Sequence, residues 1–169
     1  MDATLQRLAD EAAIRDVLAR YARAVDRMDW ELLRSCYHAD ATDVHGGVTF
    51  TLDEFVAYLQ ERLPKSSRTF HFLGQQLIDV EGDVAWAETY CIARHRDEPE
   101  GAPPEDLEVC VRYSDRLERR AGEWRLAHRV VVYDLGRIAP LLHESPFAAV
   151  ARYQGARDRS DPTYRRDRA

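Results

Sequence analysis

The groups in this sequence best suited to moving a proton at neutral pH are its histidines, because an unperturbed imidazole titrates near ~6.5 and its neutral form is an available base. Of the six, His71 lies near the start of an extended pattern, in Thr69-Phe-His71, and is a candidate general base or a hydrogen-bonded structural residue. Asp26 stands where a helical pattern ends. Its carboxylate can cap or end that helix, or it can orient an imidazole and stabilise the imidazolium as it forms. Tyr21 lies about 140° from Asp26 round a helix of ~3.6 residues per turn, so the two border one pocket only if the helix frays at Asp26. The Tyr21 hydroxyl can donate to a carbonyl or a leaving hydroxyl; as ordinary core it would sit at a rim. Arg129 offers fixed positive charge toward a developing enolate or a substrate carboxylate, or pairs with Asp134 or Glu88 at a sheet edge. His95 and His128 are candidates for a second pocket histidine; sharing a strand face with Cys91 and Ala93 favours His95, whose alternative is a solvated residue beside Arg96-Asp97. Tyr37, Phe55 and Tyr113 are pocket linings or core. His38, His45 and His143 show no metal-ligand spacing, and H-E-x-x-H and a Gly-rich strand–helix loop are both lacking, so no cofactor and no metal are expected.

Elements must carry these groups. Leu5, Leu8, Ile14, Val17, Leu18, Tyr21 and Val25 follow amphipathic helical spacing, and the pattern ends near Asp26. Asp29 is placed to cap a short helix over Trp30–Tyr37, making a helix–turn–helix corner. After an extended piece at Ala41–His45 and a Gly46-Gly47 turn, Thr51-Leu-Asp-Glu54 has the form of a capping box for a helix from Leu52 to Leu63, stopped by Pro64. From Arg68 the period becomes extended, with turn signals at Glu81-Gly-Asp83, Pro99–Pro104 and Arg120-Ala-Gly122. Four long strands are predicted at Ser67–Val80, Val84–Arg96, Leu107–Arg119 and Glu123–Asp134, joined as an antiparallel meander. Helices first and strands afterwards define an α+β fold. In the second strand Ala87, Thr89, Cys91, Ala93 and His95 form a small-residue face that leaves space, while in the third the even-numbered face is polar, for solvent or a partner subunit.

The chain of 169 residues, 45% apolar, suits one core. A formal charge of −6 argues against a phosphate-tracking nucleic-acid surface, and no apolar run approaches the ~20 residues of a membrane span. The charged N-terminus, Met1-Asp-Ala-Thr-Leu-Gln-Arg7, does not resemble a secretion signal, which predicts a cytoplasmic protein. Cys36, Cys91 and Cys110 are odd in number and widely spaced, which favours reduced, mostly buried thiols. Residues 146–169 mix six arginines with three aspartates and read as a partly ordered surface extension to a domain over 1–145.

The order of elements resembles the SnoaL-like family of the nuclear transport factor two-like superfamily. Its local carriers are Ile14-Arg15-Asp16, Tyr21-Ala-Arg-Ala-Val-Asp26, Leu33–Asp43, Thr69-Phe-His71, Gly122-x-Trp124 with Arg129, Gly155-Ala-Arg157 and Asp161-Pro162-x-Tyr164. The resemblance implies a cone-shaped α+β barrel, a curved sheet wrapped around N-terminal helices with an apolar pocket inside, and a homodimer or homotrimer. The family includes scytalone dehydratase, bile-acid dehydratase and hexachlorocyclohexane dehydrochlorinase, cofactor-free eliminating enzymes with a His–Asp pair at the positions of His71 and Asp26. The bile-acid dehydratase pattern also places a tyrosine at Tyr21 and an arginine at Arg129. The resemblance therefore implies a dehydratase-type lyase acting on a small hydrophobic, cyclic molecule. An isomerase or polyketide cyclase would use the same base, and a ligand-binding module or dioxygenase small subunit would use the same fold without chemistry.

Overall fold

A computed structural model describes residues 2–141 and 143–164. Arg165, Arg166, Asp167 and Arg168 of the expected charged tail lie outside the described residues. Helix α1 spans Ala3–Arg27, capped by the Asp2 side chain, and ends through Met28 in the left-handed conformation, φ 49°. Helix α2, Trp30–Ser35, starts at the expected Asp29 cap. It is shorter than its apolar spacing suggested, because Tyr37 belongs to strand β1, Tyr37–His45. Strand β2, Val48–Thr51, comes after the Gly46-Gly47 turn, and α3, Leu52–Arg62, opens with the reciprocal Thr51–Glu54 capping box. Pro64 sits inside a single 3₁₀ turn, Leu63–Lys65, which ends α3 and delivers the chain into the sheet.

The four long strands are β3 Ser66–Glu81, β4 Val84–Asp97, β5 Glu105–Arg120 and β6 Glu123–Pro140. They form the expected antiparallel meander. The sheet departs from expectation in two ways. It has six strands in the order β2-β1-β6-β5-β4-β3 and does not close on itself. It is also mixed, since β1 pairs parallel to β6. A pattern of alternating residues cannot reveal a parallel partner so far along the chain; here β2, α3 and the strands β3 to β5 lie between the two, and the Leu126 N–H donates to the Cys36 carbonyl at 2.8 Å just before β1.

One face of the sheet packs on α1. Ile14, Val17, Leu18, Tyr21 and Val25 meet Ala85, Ala87, Cys91 and Ala93 of β4, with Leu117 and Leu126 from the next strands. Small side chains on β4 fill little of the space under the helix and leave volume beside it. A bulge between Leu73 and Gln76 shifts the β3 register by one residue. Before it, Thr69, His71 and Leu73 alternate with the exposed Phe70 and Phe72; after it, Ile78 and Val80 pack on the core and Leu77 is exposed. The outer face carries Trp86, Tyr90 and Ile92, all exposed. Cys36 and Cys91 are buried, Cys110 is partly buried, and all three are free thiols. No described helix is long and apolar enough to cross a membrane.

Candidate active site

Beyond the small residues of β4, α1, α3, the β1–β2 turn and the inner faces of β3 to β6 enclose a cavity of about 410 Å³. His71 and His95 project into it from neighbouring strands, with Tyr21 and Val25 from α1, Tyr113 from β5 and Tyr58 and Arg62 from α3. Val109, Val111 and Val131 supply much of its apolar wall.

His71 is held by Asp26 through two bonds. The Asp26 Oδ1 lies 2.7 Å from the ring Nδ1, and Oδ2 accepts the His71 backbone N–H at 3.0 Å. Burial by itself would raise the Asp26 carboxyl. The hydrogen bonds and charge of His71 outweigh it, and the carboxyl titrates below its ordinary value. Because an ionised carboxylate only accepts, Nδ1 carries a proton, and in the neutral form of the ring, which lines the cavity, Nε2 holds the lone pair. Asp26 occupies the last turn of α1. It need not fray to meet the pocket: Tyr21 and Val25, at i and i+4, line the cavity, and Asp26 stands behind His71.

His95 meets His71 edge to face, ring centroids 5.5 Å apart. Burial, together with the neighbouring His71 and Arg62, pushes its pKa down to about 4, so the ring is neutral across the physiological range. Its Nδ1 is buried without a partner among the described residues. Burial also holds the Tyr21 and Tyr113 phenols above their ordinary value, so both remain protonated donors.

Arg129 is placed differently from its expected role. It is fully buried and does not line the cavity. Its Nε and Nη2 each meet a carboxylate oxygen of Asp115 at 2.7 Å. The cause is register: Asp115 is its partner on β5 and Asp43 its partner on β1, so three charged side chains form one inward-facing row. The guanidinium carbon lies 4.0 Å from the Tyr21 ring centroid and 4.1 Å from that of Tyr113, supporting both rings from behind. Glu88 and Asp134, the alternative partners, are taken by Arg112. Tyr37 and Phe55 likewise belong to the core behind the wall. Tyr37 donates its hydroxyl to Asp43 at 2.8 Å and packs edge to face on Tyr21, and Phe55 is fully buried.

The cation at the cavity is Arg62, tied to Asp97 at 3.0 Å. Together with Tyr58 it was missed in the sequence, although Phe55, Tyr58, Leu59 and Arg62 fall at i, i+3, i+4 and i+7 and mark one helix face. His45 and Gly46-Gly47 border the same cavity from the β1–β2 turn. Among the described residues no cluster of His, Cys, Asp and Glu could hold a metal ion.

The family model of the SnoaL-like domain matches residues 6–130. The chain belongs to the SnoaL-like family. Its fold recurs in solved structures at low identity. A hexachlorocyclohexane dehydrochlorinase, LinA-type3, from Novosphingobium barchaimii is 21% identical over 85% of this chain and 99% of its own, with a TM-score of 0.75. A proposed scytalone dehydratase from Novosphingobium aromaticivorans is 20% identical over 84% of this SnoaL-like chain and 99% of its own, TM-score 0.71. A protein from Kribbella flavida is 24% identical over 78% and 95%, TM-score 0.71. No curated protein matches the chain in sequence.

Proposed function

We propose that this SnoaL-like chain is a cofactor-independent lyase that takes a proton from carbon beside a carbonyl and expels a β-leaving group from a small, apolar, cyclic substrate. The observation that carries this reading is the two-point grip of Asp26 on His71, which fixes the Nδ1–H tautomer and leaves Nε2 free on a cavity wall. In the first step Nε2 accepts the carbon-bound proton and the electron pair moves onto the carbonyl oxygen as an enolate. Asp26 stays ionised and stabilises the imidazolium. Tyr21, protonated and at the wall, donates a hydrogen bond to that oxygen. As the enolate collapses, its electrons expel the leaving group; a leaving hydroxide takes the proton back from His71 and departs as water. Neutral His95 and Arg62 orient the polar end of the substrate, and the valines hold its ring. A cavity of about 410 Å³ accommodates a mono- or bicyclic molecule.

The named relatives support elimination chemistry on this fold, as a dehydrochlorinase and a proposed dehydratase. An isomerase would share the first step and return the proton to a different carbon. Deuterium exchange at the α-carbon of a cyclic β-hydroxyketone in D₂O reads the shared step; loss of water reads the second. The wild-type chain is expected to catalyse both, and His71→Gln to slow exchange by on the order of 10²–10⁴-fold. Equal exchange in the two proteins would remove His71 as the base.

A further inference from the structure

The family match ends at residue 130, yet the last described segment returns to the two elements that carry Asp26 and His71. After β6 and a short helix α4, Pro146–Val150, residues 155–164 lie against the end of α1. Asp161 is 1% exposed. Its Oδ2 meets Arg27 at 3.0 Å and accepts the Ala156 N–H at 2.9 Å, while Oδ1 accepts the Thr163 N–H at 3.0 Å and its hydroxyl. Asp29 accepts the Tyr164 hydroxyl at 2.9 Å and an Arg159 N–H at 3.2 Å, and the Arg23 guanidinium covers the Tyr164 ring at 4.3 Å. Arg23, Arg27 and Asp29 bracket Asp26. On its other side the segment sends Arg157 into the entrance of β3, where Nη1 donates to the Leu63 carbonyl at 2.6 Å and to the Ser66 carbonyl.

We propose that residues 155–164 are a clasp that sets the distance between Asp26 and His71, with Arg157 and Asp161 as its positioning residues. This rests on reading His71 as the base. Neither α1 nor β3 fixes that distance alone: Asp26 lies next to the last residue of its helix, and His71 lies in the first stretch of β3, shortly after the 3₁₀ turn and its Pro64. Small displacements of a catalytic pair cost rate steeply, by about 10²-fold for an error of ~1 Å. The clasp is built to dock completely. Asp161 is buried with both oxygens partnered, and Arg157 buries Nε and Nη2 without partners among the described residues, a cost that a loosely attached tail has no reason to bear.

The test uses the full chain and the downfield proton resonance of the His71 Nδ1–H in its bond to Asp26, assigned by its disappearance in His71→Gln. Arg157→Gln and Asp161→Asn are each expected to move that resonance upfield and to speed its exchange with water about 10-fold or more, with the far-UV spectrum retained. Arg157→Lys, which keeps a donor for the two carbonyls, is expected to recover part of the wild-type signal. Arg152→Gln serves as the control, because Arg152 precedes the clasp, is exposed, and lies over the ring of its neighbour Tyr153. An unchanged resonance and exchange rate in both variants overturns the clasp, and so does loss of the folded spectrum in both, which would make the segment general core. The two readings separate cleanly: if His71 is not the base, His71→Gln retains deuterium exchange on the ketone while the resonance still responds to Arg157→Gln.

Discussion

Replacing Arg129 by Met separates a structural arginine from a catalytic one. Arg129 and Asp115 are both completely buried as side chains and share two bonds of 2.7 Å. Removing the guanidinium leaves a carboxylate with no cation in a dry interior, which costs about 3–5 kcal/mol. That is a large share of the ~5–15 kcal/mol that holds a typical domain together. At roughly 2–4 °C per kcal/mol for a chain of this size, the thermal midpoint should fall by about 6–20 °C. Burial already raises the Asp115 carboxyl despite Arg129. Without Arg129 it rises further, so Asp115 protonates more readily in the variant and the deficit narrows as the pH is lowered. The double variant Arg129→Met, Asp115→Asn should recover part of the loss, because the paired charges are then gone while the buried Asp43 of the same row remains. Calorimetric or circular-dichroism melts of wild type, both single variants and the double variant at two pH values measure all of this. An Arg129→Met protein that melts within about 2 °C of the wild type and yet loses turnover would refute the structural role, since an arginine of that kind would be touching substrate.

Asp26→Asn should cost on the order of 10⁴-fold in turnover, the size seen when the carboxylate orienting a catalytic imidazole becomes an amide; the amide puts an NH₂ donor in place of one of the two oxygens that face the ring and the backbone N–H of His71, and activity within a few-fold of wild type would refute the dyad. His95 is held at about 4, below its unfolded value of ~6.5, so the unfolded chain binds a proton there that the folded chain does not. Its contribution is therefore fully present above about pH 6.5 and lost as the pH falls toward 4, worth up to about 3 kcal/mol. Denaturant titrations across that window should show a shallower pH slope in His95→Gln, and an identical slope would mean that His95 is solvated.

Much of the fold is legible because its elements are locally coded. The capping box at Thr51–Glu54, the Asp29 cap, the period change after Arg68 and the turn glycines each depend on residues within a few positions of one another. The pairing of β1 with β6 and the bulge after Leu73 were not legible, since both are set by long-range register. The same division runs through the site. His71, Asp26, Tyr21, His95 and Tyr113 could be named from residue type, parity and family pattern, but the reach between Asp26 and His71 exists only because α1 packs across β3. Arg129 shows the converse. Its charge suggested a pocket, and the cross-strand register with Asp115 and Asp43 turned it into the support behind Tyr21 and Tyr113. Sequence determined which groups are available and which face of each element they occupy, because those depend on periods of ~2 and ~3.6 residues. Tertiary structure decided which of them meet, because an ion pair or a hydrogen bond depends on distances of a few ångströms between segments that no local pattern relates.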